Sequence, residues 1–186
     1  MVIVEPFPTP PTLVGHVLTQ LRIVRSGDKE AIAELGDVDQ IARPWLPATC
    51  GDQLRHHIWL WCDDIAAWLN RQYTWRTATL IPHCWPQHPH LAQELPVLAC
   101  QRLIAEDSAG PDLLEDWQRH TLPQFLDRMA ARLGESPRRT GRHIDWPAAA
   151  RYDASQSETS VAARQDCYYL DTHPPRQLHP ASTDRA

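Results

Sequence analysis

The sequence predicts an all-α protein: a compact, irregular bundle of about five or six helices, some kinked by prolines, with a mostly disordered C-terminal tail. Three observations predict it. Apolar residues recur at helical spacing through residues 12–134. A hydrophobic content of 42% sits beside 17 prolines, which suggests a real core with extended flanks. After Gly134 the periodicity ends, and Ser, Gln, Asp, Thr, His and Pro take over.

Residues 1–11 read as an extended, proline-rich N-terminus. TLVGHVLTQLRIV then places Leu13, Val14, Val17, Leu18, Leu21 and Val24 on a helical face, with Thr12 as the N-cap and Ser26-Gly27 as the stop. Asp28 caps a second helix, DKEAIAEL, which Gly36 interrupts, and a further turn follows over Asp37 to Ala42. The prolines of RPWLP end any helix there.

GDQLRHHIWLWCDDIAAWLNRQY is the clearest element, with Asp52 at its cap. Leu54, Ile58, Trp61, Ile65 and Trp68 form one stripe. Trp59, Cys62, Ala66, Leu69 and Tyr73 form a second beside it. A helix apolar over so much of its circumference belongs at the centre of the fold. His56, Asp63, Asp64 and Asn70 mark its wet side.

The stretch IPHCWPQHPH, residues 81–90, holds three histidines, a cysteine and a tryptophan among three prolines. It reads as a stiff corner, with Trp85 plugging the core. The rival reading is a zinc site from His83, Cys84, His88 and His90, with Cys100 as a further ligand. Its spacing is poor: no C-x-x-C is present, and adjacent side chains such as His83 and Cys84 point apart. No metal and no cofactor are therefore expected. HLAQELPVLACQRLIAED resumes the helical period, with Pro89 in the first turn and a kink expected at Pro96. PDLLEDWQRHTLPQFLDRMAARLG is the last strong helix, which Pro123 should kink or split. Residues 135–186 are read as a basic linker and a largely disordered tail.

Other chemistry is thin. His56-His57 is adjacent and cannot chelate from one helical face. Asp116 and His120, four apart, suit a surface pair better than a catalytic dyad, because no nucleophile accompanies them. No G-x-x-x-x-G-K-[ST] or G-x-G-x-x-G occurs, and seven glycines make a nucleotide cradle improbable. A net charge of −5 argues against a general nucleic-acid or membrane-surface binder. Arg128, Arg132, Arg138, Arg139 and Arg142 nonetheless form a local basic run able to face phosphates. Five cysteines without a signal-peptide pattern suggest a cytoplasmic chain with reduced thiols, and no stretch reaches the length of a membrane span.

The segments WLNRQYTW, CWPQHPH and WQRHTLPQFLDRM resemble a family of small, tryptophan-rich actinobacterial proteins found near plasmid-, phage- and conjugative-element-like genes. The resemblance spans about residues 43–134, and Pro96 departs from it. It implies a helical fold and a mobile-element context, and it carries no functional residues, since the family has no assigned activity. Eight tryptophans are many for this length, and aromatic surplus over a small core marks an interface. The expected function is a non-enzymatic interaction or accessory protein, with a protein partner or a second copy as the occupant of that surface. A nucleic-acid-binding accessory factor using the arginines is the rival, and a metal-dependent enzyme at residues 83–90 the weaker one.

Overall fold

The structure, a computed structural model, describes residues 4–133, 143, 152, 153 and 155–173. The chain divides into two units, Met1–His143 and Ile144–Ala186. Among the described residues all regular structure is helical.

The first unit is built on α3, Asp52–Gln72. Both predicted stripes are buried, except that Trp59 and Tyr73 lie at the margin. The helix starts one residue earlier than expected: Gly51 occupies the N-cap position and Asp52 is the first helical residue. There Asp52 still favours the positive helix end and pairs with Arg55.

Helix α1, Thr12–Ser26, packs on α3 through Val14 and Val17. It stops at Gly27, whose φ of 75° is left-handed backbone that glycine adopts without a Cβ penalty. Asp28 then accepts hydrogen bonds from the Glu30 and Ala31 amides at 3.1 and 3.2 Å and so starts α2, Lys29–Glu34. The turn expected after Gly36 is a single 3-10 turn, Val38–Gln40.

The N-terminal segment is extended but not idle. Phe7 is buried and meets Trp61 and Trp68 edge-on, with ring centroids 6.3 and 5.1 Å away. The Trp61 indole donates to the Pro8 carbonyl at 2.9 Å, and the Trp68 indole to the Glu5 carbonyl at 3.1 Å. Proline-rich backbone suits this, because its carbonyls have no helical partners and remain free to accept. Arg71 holds the Glu5 carboxylate at 2.8 Å.

Helix α4, Pro89–Glu106, lies against α3 and buries Leu91, Leu95, Leu98, Ala99 and Cys100. It is one helix through Pro96, which is itself fully buried. Helix α5, Asp112–Asp116, runs into a wide π turn, Trp117–Thr121, and then into α6, Leu122–Leu133. The π turn is the physical answer to Pro123. The Leu122 amide reaches back five residues to the Trp117 carbonyl, so the ladder widens just before the residue that has no N–H to give. Trp117 is buried there and donates to the Leu98 carbonyl at 3.2 Å, which ties this segment to α4. Arg102 lays its guanidinium over Phe7 and Trp117, at 5.2 and 5.7 Å from their ring centres.

In the second unit a helix appears where the sequence reading expected no regular structure: α7, Glu158–Thr172. Ser157 caps it by accepting from the Ser160 amide, Glu158 sits in its first turn, and Ala162, Ala163, Arg164 and Gln165 are strong helix formers. Local propensity, not an apolar face, makes this helix; Tyr168 and Tyr169 are exposed. Residues 174–186 of the expected disordered tail lie outside the described residues.

Candidate functional site

The corner at 81–90 is held from two sides. Asn70 of α3 brackets Ile81, and Asp63 of α3 accepts the Trp85 indole N–H at 3.2 Å. Both were read as wet-side residues: Asp63 is indeed exposed and still reaches the Trp85 indole, while Asn70 is half-buried against the corner. Trp85 is 2% exposed and tilts against Trp59 with 6.0 Å between ring centres. The Trp85 amide closes on the Pro82 carbonyl, and Trp85–Gln87 form a 3-10 turn with Pro86 inside it. The His88 carbonyl then accepts from the Leu91 and Ala92 amides and opens α4.

This tight path turns Cys84 and His88, four residues apart, to the same inner side. Cys84 is 3% exposed and His88 7%. Cys84 Sγ lies 3.4 Å from His88 Nε2. His143 joins them: its ring centre is 4.7 Å from that of His88, and the donor atoms of Cys84, His88 and His143 all lie within 4.8 Å of one another. His90 stands at the edge of the group, 5.9 Å from His88 between ring centres, with a buried Nε2 that has no hydrogen-bond partner. Burial, then the charges of His143 and His90, holds His88 below the ordinary imidazole range. Burial and Arg132 do the same to His90, against the opposing pull of Glu94.

Of the four corner residues singled out from the sequence, Cys84 and His88 meet, His90 flanks them, and His83 is exposed. Cys100 lies elsewhere, in the core beside Cys62. Burial pushes the Cys100 thiol up to about 12 and raises that of Cys62 further still. The sequence reading passed over His143. It stands in the arginine-rich run RRTGRHIDWP, where the charge drew the attention and the lone histidine did not.

Beside the corner lies a groove of about 760 Å³. Trp45 and Leu46 form one wall, Trp59 of α3 the floor, and Val97 of α4 and Phe125 of α6 the other side. Its charged residues are Arg55, Glu94 and Arg128. Pro89 lines it too, so the groove begins where the histidine corner ends. Leu46 and Val97 are exposed within it. No sequence stripe announced this surface, because it forms from the gaps between the Trp45–Leu46 turn, α3, α4 and α6.

The basic run is divided. Arg128 and Arg132 both reach Glu94, Arg128 at 2.9 Å. Arg138, Arg139 and Arg142 lie outside the described residues. Asp116 and His120 are both exposed. Cys50, Cys62, Cys84 and Cys100 are free and buried, and Cys167 is free and exposed. Among the described residues no helix is long and apolar enough to cross a membrane. No family model, curated protein or solved structure matches the chain.

Proposed function

We propose that the protein is a non-enzymatic interaction module. It takes an apolar segment of a partner protein, carrying at least one carboxylate, into the groove between the Trp45–Leu46 turn, α4 and α6. The observation that carries this reading is the groove itself. It is mostly apolar, open, and walled by Trp45, Trp59 and Phe125, the residue type that anchors interfaces. Charge selects the occupant. The chain is acidic overall at −5, yet the groove's charged groups are two arginines against one glutamate. An acidic, apolar peptide is favoured there over a basic one. The resemblance of segments 68–75, 84–90 and 117–129 to actinobacterial proteins encoded near mobile elements suggests an accessory role in such an element.

The test is a peptide-display selection against the full chain, with Val97→Asp as the counter-selected variant. Enriched peptides should share an apolar core with Asp or Glu and lose binding to Val97→Asp. Selection of basic peptides, or binding unchanged by Val97→Asp, would remove the groove from the function. Recovery of small apolar compounds by native mass spectrometry, with no peptide enriched, would make the site a ligand pocket instead.

A further inference from the structure

We propose that Cys84, His88 and His143 bind a zinc-class divalent transition-metal ion, with the fourth coordination position open to water beside His90.

One thiol and two imidazoles gathered within 4.8 Å is a sulfur–nitrogen combination that suits zinc or cobalt and not magnesium or calcium, which take oxygen ligands. The distance between the first two donors is also right. In tetrahedral zinc, bonds of about 2.3 Å to sulfur and about 2.0 Å to nitrogen put the two ligand atoms about 3.5 Å apart. Cys84 Sγ and His88 Nε2 stand at 3.4 Å.

The scaffold is built for position. Pro82, Pro86 and Pro89 restrict the backbone around both ligands, and the 3-10 turn between them fixes their common direction. Asp63 and Asn70 pin the turn to α3 from outside. The third ligand arrives from a distant part of the chain, so one ion would clip residue 143 to the corner. Cys84 and His88 are buried and His143 is half-buried.

An S–H···N hydrogen bond would account for the Cys84–His88 pair alone. It does not account for a second imidazole converging on the same point, nor for the buried, unpartnered Nε2 of His90 next to it. On binding, the Cys84 thiol loses its proton to solvent and coordinates as thiolate, while both imidazoles bind as neutral ligands.

The experiment uses the full chain, purified without a histidine tag, stripped with chelator, and titrated with cobalt(II) and then zinc(II). Cobalt should bind at one ion per chain, with visible d–d bands and a near-ultraviolet sulfur-to-cobalt charge-transfer band, and zinc should displace it. Zinc should also raise the melting temperature in proportion to the logarithm of its concentration. Cys84→Ser should abolish the charge-transfer band. His143→Gln, at the edge of the unit and least disruptive to folding, should weaken zinc binding about tenfold or more, as even outer-shell changes do. His83→Gln should change nothing. A chain that binds no cobalt overturns the proposal. So does a charge-transfer band that survives Cys84→Ser, or a loss with His83→Gln equal to that with His143→Gln. Should Cys84→Ser fail to fold by circular dichroism, the comparison of His143→Gln with His83→Gln decides alone.

Discussion

Asn70 pairs with Ile81 as one strand residue pairs with another. Its Nδ2 donates to the Ile81 carbonyl and its Oδ1 accepts the Ile81 amide, each at 2.9 Å. One side chain thus satisfies both polar groups of a residue buried at the entrance to the corner. Asn70→Ala should cost about 2–3 kcal/mol, because it leaves two backbone groups unpaired in a largely dry place. Asn70→Asp keeps the acceptor and sets a second acceptor against the carbonyl, so it should be no better. Equilibrium denaturation in urea checks both, and a loss below 0.5 kcal/mol, about the floor for a single hydrogen bond, would show that the corner holds without this pairing.

Trp85 fills the corner from within. Trp85→Ala should cost about 3–5 kcal/mol, the usual range for emptying a large buried aromatic site. His83→Gln, on the exposed side, should cost less than about 1 kcal/mol. Thermal melts of the two variants, run after chelation so that no metal contributes, give the order. The reverse order would mean that the corner does not depend on its tryptophan.

The N-terminal segment should matter more than its composition suggests. Phe7 sits against two tryptophans whose indoles also bond to its neighbours' carbonyls. Phe7→Ala should lower stability by about 3 kcal/mol. Val4→Ala, at an exposed position, should leave it unchanged. Unfolding curves that do not separate the two variants would show that the segment is not docked in solution.

Stability should fall at alkaline pH, and the buried thiols set the direction. Burial raises Cys50, Cys62 and Cys100 above the ordinary cysteine value. In the unfolded chain these thiols ionise near about 8.5, while the folded chain keeps them protonated. The folded state therefore binds more protons above that pH, and its stability declines as pH rises. The stabilisation is complete below the unfolded value and is lost on the way up to the folded ones. Melting temperatures between about pH 7 and 10 should fall for the natural chain and fall less for a Cys62→Ala, Cys100→Ala double variant. Equal slopes would show that other groups govern the decline.

Much of the fold was legible because it is local. The two stripes of α3 follow from a 3.6-residue period, and the Asp28 cap and Gly27 stop are one-residue signals. Pro123 was legible as a disturbance, but its resolution as a π turn was not, since a wide turn needs Trp117 seated on α4. The strap formed by Glu5, Phe7 and Pro8 left no period to find. Asn70 and Asp63 have partners, a backbone edge and an indole, 11 and 22 residues along the chain, which no local period reveals. α7 was missed because propensity alone makes it. At the corner, the residue types were visible and their convergence was not: His143 meets Cys84 and His88 only through the tertiary fold.

Affinity for the groove separates its lining residues from other exposed ones. A displayed acidic, apolar peptide should be titrated calorimetrically into the full chain, Val97→Asp, Arg128→Glu and Leu113→Asp. Val97 and Arg128 line the groove; Leu113, also exposed, lies on α5 and does not. Val97→Asp and Arg128→Glu should each weaken binding by about tenfold or more, as loss of an interface anchor does, with the second effect shrinking at high salt. Leu113→Asp should bind as the natural chain does. Equal affinities for all four proteins, or a loss confined to Leu113→Asp, would mean that the groove does not take the peptide.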